Sequence, residues 1–256
     1  MNYAPASLSI IALPGIPLIQ PGDDLAQLMM DALARAGVTL QDGDALVVTS
    51  KIVSKAEGRL VDLADVVASD SARQVAAETQ KDPRIVELVL RESEQISRKA
   101  PGVLVTKHRL GFVSANAGID QSNVDGGDDH VLLLPVDPDA SAQALRDRLH
   151  ALTGADAAIV ISDSHGRPFR IGNVGVAIGV AGMPAALDLR GRPDLYGRKL
   201  KISIQAYADM VASAANLVAG EADEGRPVVL LRGLNFARQE GHASELVRPV
   251  EQDLYK

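Results

Sequence analysis

Cysteine is absent from the 256 residues. That excludes a disulfide framework, a zinc-thiolate centre and a thiol nucleophile, and it suits a reducing compartment, so a cytoplasmic protein is expected. Positive charge is also scarce. Twenty-six basic residues stand against 33 acidic ones, a formal charge of -7, which argues against nucleic acid or an anionic membrane surface as the main partner. A local basic cluster can still meet a small polyanion. The apolar runs, such as "AAIVIS", fall far short of a membrane span, and "MNYAPASLSIIALPGIPL" has no basic leader region. No repeat, low-complexity tract or long Pro or Ser linker interrupts the chain.

Several catalytic signatures are missing as well. No "GxxxxGK[ST]" occurs, and "GNVGVAIG" has the wrong spacing for a Rossmann fingerprint. The five histidines are scattered and none belongs to an "HExxH". "DSHG" lacks the "GxSxG" elbow, and Asp163, Ser164 and His165 cannot form a triad because neighbours on an extended chain point to opposite sides. His165 reads as a turn residue rather than a general base.

What is present is an apolar fraction of 46%, ample for a core in one large domain or two small ones. The pattern predicts a strand over Leu8 to Ala12 and a helix through "PGDDLAQLMMDALARAG", with Asp23 and Asp24 at its N-terminus. "DALVVTSKIVSK" is β-branched and reads as extended. Helices are expected over Ser69 to Asp82, Pro83 to Lys99, Ser141 (as N-cap) to Thr153, and Gln205 to Val218. Strands are expected at Val103 to Thr106, Leu110 to Ser114, Val131 to Val136, "AAIVIS" before a polar turn at "DSHG", and Val228 to Arg232. Strands cluster in pairs without a steady βαβ beat. The expectation is therefore an α+β fold with paired antiparallel strands and flanking helices, built as one unit of two intertwined subdomains with a boundary near 125–130, in "DGGDD".

Three acids stand where an element is expected to give way to a loop: Asp120 after "GFVSANAGI", Asp163 with the Ser164 hydroxyl beside it, and Glu221 in "GEADEG". Oxygen ligands of this kind suit Mg²⁺ or Mn²⁺. Each acid alone is better read as a capping or turn residue, and only convergence in space makes a site. Ser50, Lys51 and Lys55 put a hydroxyl and two ammonium groups on one segment; with the lysines on one face of a strand they can neutralise phosphates, or equally protect a solvated edge. Arg167 and Arg170, then Arg190, Arg192, Arg198, Lys199 and Lys201, add basic density.

Taken together, "LPGIP", "TSKIVSKAEGR", "RESE", "ANAGIDQSN", "SDSHGRPFRIG" with "GVAIG", "DLRGRPDLYGR" and "GEADEG" resemble the F420-0:gamma-glutamyl ligase family over about residues 8 to 240. The resemblance implies a GTP-dependent ligase that adds L-glutamate to F420-0 and then a second glutamate through its gamma-carboxylate. It also implies a homodimer with two divalent cations per subunit and a monovalent cation such as K⁺. By position, Leu13, Pro14, Gly15, Ile16, Ser50, Lys51, Lys55 and Asn123 would contact the nucleotide. The loop Ala219, Gly220, Glu221, Ala222, Asp223, Glu224, Gly225 and Arg226 would close on it. Asp120 and Asp163 would hold one metal, Ser164 and Glu221 a second, and Lys51, Lys55, Asp120 and Asp163 would carry catalysis. The chain departs from the family pattern at Ser114, where Cys is frequent, and at Ser164, where Thr is frequent and the hydroxyl is kept. A C-terminal flavin domain found in some relatives is not expected. Two other readings of the same residues are a metal-dependent nucleotide phosphohydrolase and a non-catalytic nucleotide-binding module.

Overall fold

A computed structural model describes residues 6–124, 127–236 and 238–252. Asp125 and Gly126, at the start of the stretch where a subdomain boundary is expected, lie outside the described residues. The order of elements is β1 (Ser9–Ala12), α1 (Leu25–Arg35), β2 (Ala45–Thr49), α2 (Ser50–Ala56), β3 (Leu60–Asp62), α3 (Asp70–Thr79), α4 (Pro83–Arg91), β4 (Ser93–Ala100), β5 (Val103–His108) and β6 (Val113–Ala115). Then follow β7 (His130–Leu132), α5 (Pro138–Thr153), β8 (Ala158–Arg167), β9 (Arg170–Ala181), β10 (Leu187–Asp188), β11 (Ile204–Gln205), α6 (Tyr207–Ala219) and β12 (Val228–Arg232). The fold is α+β, as the strand pairing predicted.

The main sheet runs β1-β12-β2-β8-β9, antiparallel throughout except for the parallel pair β2 and β8. Its central strands are near-continuous apolar runs because both faces are covered. Leu46, Val48, Ile159, Ile161 and Leu230 pack beneath α1 and α5 against Met29, Leu33 and Leu149. The alternate residues Ala45, Val47, Val160, Val229 and Leu231 pack beneath α6 against Val211, Ala212 and Ala215. A three-stranded sheet, β4-β5-β6, carries α3 and α4, and β3 pairs with β7.

Four local expectations fail, each for a physical reason. Ser50–Ala56 is helical rather than extended, N-capped by Thr49, whose hydroxyl accepts from the Lys51 N–H at 3.3 Å. Lys51 and Lys55 still share a face, since a separation of four is one helical turn. Ser93–Ala100 pairs with β5 instead of extending α4, so Ile96 lies in a sheet and packs against the cluster beneath α3 and α4; sheet pairing overrides helix propensity there. "DSHG" is no turn but part of β8, which continues to Arg167. Helix α5 begins at Pro138 with Asp137, not Ser141, as its cap, because Asp137 accepts from the Ala140 N–H and proline suits the first helical position.

Glu92, just past α4, ties the smaller sheet to the rest. It accepts from Arg59 at 2.9 Å and Arg109 at 3.0 Å, while those guanidinium groups also donate to the carbonyls of Leu134 and Val136. Burial pushes the Glu92 carboxyl up, but His108, Arg109 and Arg59 outweigh it and hold the group at about 2. Because the folded value lies below the unfolded one, this stabilisation is complete above the ordinary carboxylate range and is lost as pH falls through it towards 2. Glu92→Gln should therefore cost about 2 kcal/mol at pH 7, less than a fully buried pair because both arginines are partly exposed. The deficit should shrink as pH drops towards 3. Thermal melts of both proteins across that range check it; a constant difference would contradict the account.

Candidate active site

One cleft of about 630 Å³ opens along the ends of β2 and β8 and is walled by α2, the 118–123 segment and the loop after α6. Ile16, Ser50, Lys51, Lys55, Asp120, Asn123, Asp163, Ser164 and all of 219–226 line it. Residues separated by more than a hundred positions thus share one surface. Leu13, Pro14 and Gly15 do not: Leu13 is fully buried in the core under α1, and the Gly15 carbonyl accepts from Arg35. None of the basic residues at 167, 170, 190, 192, 198, 199 and 201 lines the cleft either.

Each wall has a local cause. Asn116, Ala117 and Gly118 all have positive φ (51°, 53° and 67°), an uncommon run for non-glycine residues. The turn carries the chain so close to the sheet that a Cβ at Gly118 would stand 2.7 Å from Leu134 Cδ1 and 3.5 Å from Asp163 Oδ2. Glycine is favoured at 118 because its φ is positive and a Cβ would collide with the Leu134 side chain. The chain then rejoins β7 through paired hydrogen bonds between Asp120 and Leu132, which fix Asp120 at the cleft. Asp163 lies in β8 with Oδ1 3.4 Å from Ser50 Oγ and Oδ2 3.0 Å from His165 Nε2. His165 is thus a neighbour that holds a carboxylate, with its ring against Phe112 at 4.9 Å.

The lysines reach across from α2. Lys51 Nζ is 2.6 Å from Asp120 Oδ2, and Lys55 Nζ donates to the Asn123 carbonyl at 2.8 Å. Burial raises the Asp120 carboxyl, but the Lys51 ammonium and the Ser122 donors outweigh it and keep it below its ordinary value. On the far wall Ser164 Oγ and Asn216 Nδ2 both donate to Glu221 Oε1, at 2.7 and 3.0 Å. Asn123 bridges the two walls by donating its side-chain amide to the Ala222 carbonyl at 2.9 Å.

The acids are therefore distributed in pairs with hydroxyls and lysines. Among the described residues no three Asp, Glu, His or Cys side chains form a ready cluster. An all-oxygen set of carboxylates and a hydroxyl facing one cleft nevertheless has the chemistry of a hard divalent cation site. Ser122, Asn173 and Asn216 also line the cleft; Ser122 stands in the oxygen-bearing stretch "ANAGIDQSN" without an assigned role, while Asn173 and Asn216 carried no sequence signal, being single uncharged residues inside an ordinary strand and helix.

Fold and cleft together define an α+β enzyme whose site sets carboxylates against ammonium groups without a P-loop or Rossmann crossover. Residues 15–233 match the model of a family described as F420-0:Gamma-glutamyl ligase. Proteins named Coenzyme F420:L-glutamate ligase are similar along almost their whole length. The one from Methanopyrus kandleri is 46% identical, covering 97% of this chain and 99% of its own. The Methanothermobacter thermautotrophicus protein gives the same figures, and that of Archaeoglobus fulgidus is 44% identical, with 97% and 96% covered. The chain belongs to the F420-0:gamma-glutamyl ligase family, and it is a ligase.

Proposed function

We propose that the protein joins L-glutamate to coenzyme F420-0 and then adds a second glutamate through the gamma-carboxylate, using GTP and releasing GDP and phosphate. The observation that carries this reading is the gathering of Lys51, Lys55, Asp120, Asp163, Ser164 and Glu221 on one cleft. Amide formation from a carboxylate needs a better leaving group than hydroxide. The F420-0 carboxylate attacks the GTP gamma-phosphorus and the bond to GDP breaks. The glutamate amine then attacks the acyl carbon of the resulting acyl phosphate, forming the C–N bond as inorganic phosphate leaves and the amine gives up a proton. Lys51 and Lys55, one turn apart on α2, neutralise phosphate oxygens in the first step, where positioning and charge account for most of the catalysis. Mg²⁺ or Mn²⁺, held by Asp120 with Asp163 and by Ser164 with Glu221, would add further neutralisation of the phosphates. Ile16, Asn123 and the 219–226 loop surround the nucleotide, and a monovalent cation such as K⁺ completes the cofactor set.

A homodimer suits the exposed arms. Phe169, Ile171, Leu195 and Tyr196 are each about nine-tenths exposed or more on the β8–β9 hairpin and the segment between β10 and β11, more apolar surface than isolated side chains usually show. No described helix is long and apolar enough to cross a membrane.

Incubation with GTP, Mn²⁺, L-glutamate and F420-0, followed by product mass, tests the reading. Glutamyl increments on F420-0 are expected, with phosphate release that requires both acceptor and amino acid. Phosphate release indifferent to both would make the protein a nucleotide phosphohydrolase instead, and GTP binding without product under any cation condition would make it a binding module.

A further inference from the structure

Ser122 touches both members of the ion pair in the cleft. Its hydroxyl donates to Asp120 Oδ1 at 2.8 Å and accepts from Lys51 Nζ at 3.1 Å, while its carbonyl accepts from the same Nζ at 2.7 Å. With Asp120 Oδ2 at 2.6 Å, the three N–H bonds of the Lys51 ammonium are all committed. The Ser122 backbone N–H also donates to Asp120 Oδ1 at 2.8 Å, closing an Asx turn that any non-proline residue at 122 could close. The hydroxyl is not needed for that turn. It instead adds a second donor to the carboxylate and an acceptor for the ammonium.

We propose that Ser122 is a positioning residue for the ligation reaction, its hydroxyl locking Lys51 and Asp120 into one rigid charged pair at the phosphate end of the cleft. The assignment rests on the function proposed above. Lysine is a point charge on a flexible stem, and with its N–H bonds taken Lys51 acts on the phosphate oxygens through charge alone, so a charge that must already be in place as theirs redistributes needs an external hold. Losing that hold slows the chemical step and leaves the amine substrate's binding alone.

Ser122→Ala, Ser122→Thr and Lys51→Ala, assayed with GTP, Mn²⁺, L-glutamate and F420-0 alongside thermal melts, test the assignment. Ser122→Ala should lower kcat by about tenfold, the scale of one hydrogen bond to a charged group. The KM for L-glutamate and the melting temperature should stay unchanged. Ser122→Thr should return kcat to within about twofold of wild type, because it restores the hydroxyl at an exposed position. A wild-type kcat in Ser122→Ala, a loss that Thr does not repair, or a fall in melting temperature that accounts for the loss would overturn the proposal. If Lys51→Ala is itself as active as wild type, the reading of the cleft fails and Ser122's role goes with it.

Discussion

Replacing Asp163 by Ala should lower kcat by ~10²-fold or more while the protein still folds. Asp163 is held at both oxygens, by Ser50 on one side and His165 on the other, and stands on β8, a strand whose first five residues are buried core. Its carboxylate is therefore delivered to the cleft in a fixed place, and what the variant removes is negative charge, with little packing. The side chain is about a fifth exposed, so the fold does not depend on it, and a melting temperature within a few degrees of wild type is expected. Asp163→Asn helps to separate the two effects, since it keeps the shape and one accepting oxygen, puts a donating amide in place of the other, and removes the charge. It should be nearly as inactive as the Ala variant. Steady-state rates near wild type from either protein would remove Asp163 from the catalytic set.

The largest loss of stability is expected at Gly179. A Cβ there would lie 2.3 Å from the carbonyl oxygen of Pro138 and 2.5 Å from its carbon, both backbone atoms of α5 that no rotamer change can move. Gly179 faces α5 because of an irregularity in β9. The register with β8 shifts between Ile161 and Ser162, where the partners change from Gly179 to Ala177 and leave Ile178 extra. The shift reverses the face, so Gly175 approaches α6, with its Cβ position 2.6 Å from the Ala212 oxygen, while Gly179 approaches α5. Gly179→Val must push α5 off the sheet, at a cost of about 3 kcal/mol or more. That corresponds to a fall of about 6–12 °C in Tm for a chain of this size. Gly166→Ala is the control: its new methyl would meet only Asn173 Oδ1, at 3.8 Å, and should change stability by less than about 0.5 kcal/mol. Equal melting curves for Gly179→Val and wild type would refute the close packing of α5.

Much of the fold could be read from the sequence because its cause is local. Asp24 caps α1 through the Gln27 N–H, Gly154 ends α5 in the left-handed conformation, and Val228–Arg232 is a strand at the bounds its apolar run suggested. Where the reading failed, a non-local partner had decided. Ser93–Ala100 has the composition of a helix and is drawn into a sheet by β5; "DSHG" has the composition of a turn and is held straight by β9. Asn216 was illegible as a site residue, and Ser122, though it stands in the oxygen-bearing stretch after Asp120, had no role until Lys51 was brought across the cleft to it.

The sequence by itself determined the family, the absence of thiol and P-loop chemistry, and which side chains carry charge and hydroxyls. Those follow from residue identity and short-range order. Only the tertiary structure decided that Ser50 faces Asp163 across 113 positions and that Asn123 reaches Ala222 across 99. Those meetings depend on the strand order β12-β2-β8-β9, and strand order is a choice among distant pairings that no local periodicity encodes.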